Sequence, residues 1–581
     1  MIFFNNLGVR LAVLIPLFFQ IMVAQCIPIS PTVLMNGQQI TGTTINDLEV
    51  FLGIPFAEPP INKLRFRNPV KYKNPSTPLN ATDFGPGCIN QQYSFSEETE
   101  ILSGKIPDAL IDIFGNNTNN ASNTSEDCLT INVFRPPGVN NLRSLPVMVW
   151  IYGGSFQTGS GATDPSLMIQ ESIDMNQPII YVTFNYRLGP WGFLGGSTVA
   201  KEGSTNLGLK DQRLALEWVQ DNIEYFGGNK NRVLIFGESA GAMSVGNHLV
   251  AYGGDHSYGD GHLFSAAIMQ SGGVTSMHGV ESKWPQLFFD LFAEEAGCLD
   301  PNSVMECLRS RSTQELAAAQ ASPRLREFYG IVGNFFGWSP RPDGDILPYS
   351  TFQMLKDGKV ARVPYIVGTQ EDEGTIFALA FKSINSEDQL AVLLKNLFDY
   401  KSSSSEEVKI LQHYYPANNL FGAPFRTNAT MALTPQSKRI GALITDFLFE
   451  APRRLLLSST PDVPRYNYFS TPLHGVIPYL GSFHGNDLFF QFHADFGPSI
   501  AYRRYWIAFA NHYNPNIGTG LSEWPLYNSV NQDTMGIDLL SLSIIQDTYR
   551  VEAIENLINS TNLITAWPFF WMTIYIKQNS N

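Results

Sequence analysis

Apolar residues along the chain fall into two alternating kinds of run. Pro146–Tyr152 (PVMVWIY), Pro178–Phe184 (PIIYVTF) and Arg232–Phe236 (RVLIF) are short, rich in β-branched and aromatic residues, and apolar on both faces. Such runs predict strands buried within a sheet. Ala266–Met269 and Val363–Val367 are shorter runs of the same kind. Between them, Asn206–Phe226 places Leu209, Leu214, Leu216, Trp218 and Ile223 at helical spacing. Strands alternating with helices predict an α/β architecture: a mostly parallel sheet with helices on both faces. No repeat, low-complexity tract or compositional break divides the chain, so residues 27–581 read as one large domain.

The two ends differ from this pattern. Arg10 precedes an apolar stretch, Leu11–Ala24 (LAVLIPLFFQIMVA), that falls short of the roughly 20 residues a membrane span needs. Residues 1–26 therefore read as a signal peptide, cleaved after Cys26, which removes an odd thiol; cleavage after Ala24, which would keep that thiol, is the alternative. Trp567–Ile576 (WPFFWMTIYI) is also too short to span a bilayer. The polar KQNSN tail after it argues against a lipid-anchor signal. Packing against the domain is the expectation for this run, and contact with a lipid interface is the alternative.

Composition narrows the function. The 581 residues are 44% apolar and 15% charged, with a mean hydropathy of -0.07, which is a globular composition. With 38 basic and 52 acidic residues the net charge is -14, which excludes a basic footprint for nucleic acid. Export fits the sequons that start at Asn80, Asn116, Asn120, Asn123, Asn428 and Asn559, all candidate glycosylation sites. Once Cys26 leaves with the signal peptide, Cys88, Cys128, Cys298 and Cys307 remain. They pair most simply as sequence neighbours, although three connectivities are open.

The chemistry centres on Gly237-Glu238-Ser239-Ala240-Gly241, which follows the RVLIF strand and opens a helical stretch. A serine on a sharp strand-to-helix turn is exposed at the top of the sheet near the positive end of a helix. A serine hydroxyl needs a base, and a histidine base needs an acid to orient it. The chain order Ser, acid, His leaves His413, His474, His484, His493 and His512 as bases. His484 lies in a loop-like YLGSFHGND, whereas His413 sits in a helical pattern. Glu371, Asp372 and Glu373 are adjacent after VPYIV, and spacing alone does not choose among them. The glycine turn Tyr152-Gly153-Gly154-Ser155-Phe156, with the Ala240 N–H, would supply oxyanion donors.

These segments resemble the type-B carboxylesterase/lipase family, most closely its secreted fungal lipases of the Candida and Geotrichum kind. The resemblance covers nearly all of the mature chain. It rests on FLGIPFAEPP (51–60), SEDCLTINV (125–133), LPVMVWIYGGSF (145–156), NYRLGPWGFLGG (185–196), FGESAGAMSV (236–245), MQSGG (269–273), PRPDG (340–344), EDEGT (371–375) and FHGND (483–487). It implies the α/β-hydrolase fold, with Ser239 as nucleophile, Glu373 as acid and His484 as base. Gly154, Ser155 and Ala240 become the oxyanion hole, with Ser155 replacing a glycine of many relatives. It also implies Cys88–Cys128 and Cys298–Cys307 bridges and a structural Arg65–Glu126 ion pair. No metal or organic cofactor is implied.

The same resemblance makes the 88–128 loop a lid. Ile106, Leu110, Ile113 and Phe114 fall there at helical spacing, as a short amphipathic helix able to lie on a lipid–water interface requires. Cholinesterases of the family carry a tryptophan in this loop to hold a quaternary ammonium. Residues 89–127 contain none, which counts against choline esters. Phe328, Tyr329, Phe335, Phe336 and Trp338 are candidate walls of an acyl pocket. The expected partner is a lipid ester. A carboxylesterase or sterol esterase is the alternative within this chemistry, and a non-catalytic adhesion or binding protein is the alternative outside it. The sequence leaves the oligomeric state open.

Overall fold

A computed structural model describes residues 30–73, 75–90, 123–325, 337–397 and 402–559. Its centre is an eleven-stranded sheet. In chain order the strands are β1 (Thr43–Ile45), β2 (Leu48–Pro55), β3 (Thr130–Arg135), β4 (Leu145–Ile151), β5 (Ile180–Phe184), β6 (Gly228–Glu238), β7 (Ala266–Gln270), β8 (Tyr365–Gln370), β9 (Arg465–Ser470), β10 (Asp533–Ile537) and β11 (Leu542–Gln546). Their spatial order is β11-β10-β9-β8-β7-β6-β4-β5-β3-β2-β1. From β5 to β10 every neighbouring pair is parallel; the four remaining pairings, at the two margins, are antiparallel.

The all-apolar runs are strands because both of their faces are covered. Val147, Val149, Ile235 and Phe236 are each 0% exposed. The Asn206–Phe226 pattern forms α1 (Leu207–Asn222) and a 3-10 turn. Its Asp211 is buried as well, because it accepts hydrogen bonds from the backbone N–H and guanidinium of Arg187 at 2.7–3.0 Å. The Val363–Val367 run starts its strand at Tyr365, two residues late. Pro364 has no N–H for a ladder, and its carbonyl instead accepts from Ala267 N at 3.1 Å.

Two disulfides are present, Cys88–Cys128 and Cys298–Cys307. Arg65 makes a two-pronged pair with Glu126 at 2.6 and 2.7 Å, and Thr313 donates to the same carboxylate at 2.6 Å. The pair anchors the chain two residues before Cys128. Asn80, Asn123, Asn428 and Asn559 are all exposed. The amphipathic stretch 106–114, Asn116 and Asn120, the signal peptide with Cys26, the 567–576 run and four of the five acyl-pocket aromatics lie outside the described residues. The fifth, Trp338, is buried against Phe288 and Phe292, with ring centroids 5.8 Å away in each case.

Candidate active site

The serine turn closes where β6 ends at Glu238 and α2 (Ala240–Val250) begins. Ser239 occupies φ 58°, ψ -126°, a region that L residues rarely adopt and that surrounding structure must hold. Its N–H donates to Gln270 O at 3.0 Å. The flanking glycines are required by space: a Cβ at Gly241 would lie 2.0 Å from Ile151 O, and one at Gly237 2.5 Å from the same oxygen.

His484 reaches the serine from the loop between β9 and α3 (Asn486–Phe492). Its Nε2 lies 2.8 Å from Ser239 Oγ and its Nδ1 lies 2.6 Å from Glu373 Oε2. The other Glu373 oxygen accepts from the Gln370 N–H at 2.7 Å. Phe377 and Phe449 flank the imidazole, at 5.1 and 4.9 Å between ring centroids.

The three adjacent acids have separate partners. Glu371 meets Arg426 and His474, each at 2.7 Å. Asp372 accepts from the backbone N–H groups of Phe425 (2.7 Å) and Ser482 (2.9 Å), which ties the acid turn to the histidine loop. Only Glu373, of the three, faces His484. Of the other histidines weighed, His474 is held by Glu371, while His413, His493 and His512 are exposed. Glu371, Asp372 and His474 lie close enough to share one cation, within 4.8 Å of one another. Their ligand atoms are already taken up by the arginine, by the two amides and by each other.

The glycine turn after β4 lies against the serine, since a Cβ at Gly153 would come 3.0 Å from Ser239 Cβ. Gly154, Ser155 and Phe156 all have positive φ (97°, 56° and 61°). The N–H groups of Gly154, Ser155 and Ala240 donate to none of the described residues.

Two further carboxyls surround the imidazole. Glu238, 4% exposed, sits 3.3 Å from Nε2 through an oxygen with no hydrogen bond among the described residues. Asp487 accepts from Gln270 at 2.8 Å. Gln270 in turn accepts from Trp506 at 3.1 Å on α4 (Ser499–His512). Burial raises the Glu238 carboxyl to about 8 against the pull of the His484 ring, and it raises Asp487 to about 6. Burial alone would lower His484, but the carboxylates of Glu238 and Glu373 outweigh it and lift the imidazole to about 9. Sequence reasoning passed over both residues. The signal for Glu238 was an acid closing the buried, otherwise apolar half of β6, Val233–Glu238.

A parallel sheet carrying a serine turn, with a histidine and an acid delivered from later strand ends, defines an α/β-hydrolase. The chain belongs to the Carboxylesterase family, whose profile matches residues 30–553, and it is a carboxylic ester hydrolase. Among similar proteins, Lipase 1 of Geotrichum candidum is 44% identical over 536 residues, which is 91% of this chain and 95% of that protein. Lipase 5 of Diutina rugosa is 39% identical, covering 89% and 93%. Secreted triacylglycerol lipase LIP1 of Gibberella zeae is 35% identical, covering 90% and 89%. Among solved structures, Aspergillus niger EstA superposes with a TM-score of 0.76 at 26% identity, over 92% of this chain and 99% of that one.

Proposed function

We propose that the protein is an exported serine lipase that hydrolyses acylglycerols through an acyl-enzyme on Ser239. The carrying observation is the continuous chain Glu373–His484–Ser239, at 2.6 and 2.8 Å, with the glycine turn lying against the serine. His484 Nε2 takes the Ser239 proton as Oγ bonds to the ester carbonyl carbon. The carbonyl oxygen becomes an oxyanion facing the N–H groups of Gly154, Ser155 and Ala240. The carbon–oxygen bond to the alcohol then breaks, and His484 returns the proton to the leaving oxygen. Water repeats the sequence on the acyl-serine: His484 takes one proton, the hydroxide adds, and Oγ leaves with that proton. Glu373 holds the imidazolium through Nδ1.

Lipid esters as substrate, and export, rest on the relatives named as lipases and secreted lipases. Glycosylation at Asn80, Asn123, Asn428 and Asn559 agrees with their exposure, and residues 88–128 are assigned as the lid. A second reading, an esterase of soluble esters, is favoured by the structural likeness to EstA and PNB esterase. Initial rate against tributyrin concentration, followed through the solubility limit, separates the two. The lipase reading predicts a rise above the limit. Saturation below it, with no further rise, contradicts that reading.

A further inference from the structure

A cleft of about 150 Å³ opens where Thr130 and Asn132 of β3 meet Asn185, the residue after β5. It contains no member of the triad or of the glycine turn. None of the described side chains that line it is ionisable. Phe84 forms one wall; it is 36% exposed and backed by Phe134, at 6.3 Å between ring centroids. The two amides are locked by their neighbours. Asn132 accepts from the Gly53 N–H at 2.8 Å and donates to Thr183 at 2.9 Å. Asn185 accepts from the Gly161 N–H at 2.8 Å and donates to Pro86 O at 2.9 Å. Thr130 and Ser160 add hydroxyls to the lining. Gly87–Cys88 pairs in parallel with Thr124–Ser125, with Gly87 opposite Thr124. That pairing brings the exposed Asn123, which begins the sequon Asn-Thr-Ser, to the rim of the cleft.

We infer that this cleft seats the first N-acetylglucosamine of a glycan on Asn123, a role that rests on the reading of the protein as exported and glycosylated. On export, Asn123 Nδ2 bonds to the anomeric carbon of a lipid-linked oligosaccharide; the nitrogen gives up one proton and the lipid diphosphate leaves. Three features select this occupant. Asn123 itself lines the cleft, so a sugar bonded to it starts at the mouth and forfeits little translational freedom on entering, unlike a free sugar. A cavity of roughly 150 Å³ admits one six-membered ring, so the first sugar enters and the rest of the glycan extends into solvent. The lining also matches the chemistry. Neutral hydroxyls and amides suit the sugar hydroxyls and the N-acetyl group, and the Phe84 ring offers an apolar surface to the C–H face of a pyranose. An ion would find no opposite charge among these described walls.

The test uses the full chain secreted from a yeast, with glycan occupancy at each sequon read by glycopeptide mass mapping. Peptide N-glycosidase, which must grip the first sugar to cut, is applied to the folded protein. Release at Asn123 is expected to be at least tenfold slower than at the exposed Asn80 and Asn428, and equal to them within twofold after denaturation. Phe84→Ala, and separately Gly87→Ala, are expected to bring native release at Asn123 to within threefold of the other two. The Gly87→Ala methyl would sit 3.8 Å from both Ser160 Cβ and Thr124 Cγ2, so it enters the cleft without strain. Fast native release at Asn123 in the wild type overturns the proposal, and so does slow release that persists in a folded variant. A bare Asn123 beside an occupied Asn80 or Asn428 overturns it as well and leaves export standing. A chain retained in the cell, or secreted with no sugar at any sequon, contradicts the exported, glycosylated reading itself and the proposal with it.

Discussion

Replacing Glu373 by glutamine removes a charge, keeps the volume and leaves no workable hydrogen-bond arrangement. One Glu373 oxygen accepts from the Gln370 N–H at 2.7 Å and the other from His484 Nδ1 at 2.6 Å. A glutamine has only one oxygen. If that oxygen faces Gln370, its NH2 faces Nδ1 and forces the ring proton onto Nε2, so the nitrogen beside Ser239 no longer accepts a proton. If the oxygen faces Nδ1, two N–H donors confront each other at Gln370 inside a buried site, which costs about 1–3 kcal/mol. In both arrangements the imidazolium also loses its counter-charge. An acid-to-amide change at this position of a Ser-His-acid triad lowers kcat about 10⁴-fold, or about 5.5 kcal/mol at about 1.4 kcal/mol per decade. The assay is kcat on 4-nitrophenyl butyrate below its solubility limit, with thermal unfolding as the check that the variant is folded. A folded Glu373→Gln protein that keeps more than a tenth of the wild-type kcat refutes the tautomer argument and the role given to Glu373.

Glu238→Gln removes a carboxylate 3.3 Å from Nε2 that favours the protonated ring, so His484 becomes a free base at lower pH. The acidic limb of the kcat/KM profile is expected to move down by about one pH unit; a limb that stays put or moves up contradicts the assignment. Arg453→Ala strips a fully buried guanidinium from Glu450, from Asp547 (2.8 Å) and from Asn467 (2.9 Å), leaving Arg454 on Asp547 at 2.7 Å. Urea unfolding should show a loss of about 3–5 kcal/mol, and a loss under 1 kcal/mol rules out a structural role for the cluster. Gly241→Ala drives a methyl group into Ile151 O; it should give little soluble protein and no esterase activity, and near-normal kcat in that variant counts against the close fit of the serine turn.

What the sequence made legible, and what it hid, follows from where each signal resides. β4, β5 and the 233–236 stretch of β6 were visible because a strand segment covered on both faces is largely apolar. β9 was not, because RYNYFS reads as a polar loop. Its Arg465 and Asn467 are buried: Arg465 donates to Thr460 O, five residues back, at 2.9 Å, and Asn467 donates to Thr534, 67 residues on, at 2.7 Å. The serine turn was legible because its glycines answer to local crowding. The choice among Glu371, Asp372 and Glu373 was not readable from spacing, since Arg426, Phe425 and His484 decide it from 53 to 111 residues away. Only the family resemblance reached that far. Glu238 and Asp487 went unseen for the same reason: their meaning lies in their distance from an imidazole.

The most direct test of the central claim is covalent. The protein is treated with a 4-nitrophenyl alkylphosphonate and the adduct is located by peptide mass mapping. One phosphonate per chain on Ser239, formed in proportion to lost activity and absent in His484→Ala, is the predicted result. Complete inactivation with Ser239 unmodified, or with the adduct on another residue, contradicts the account.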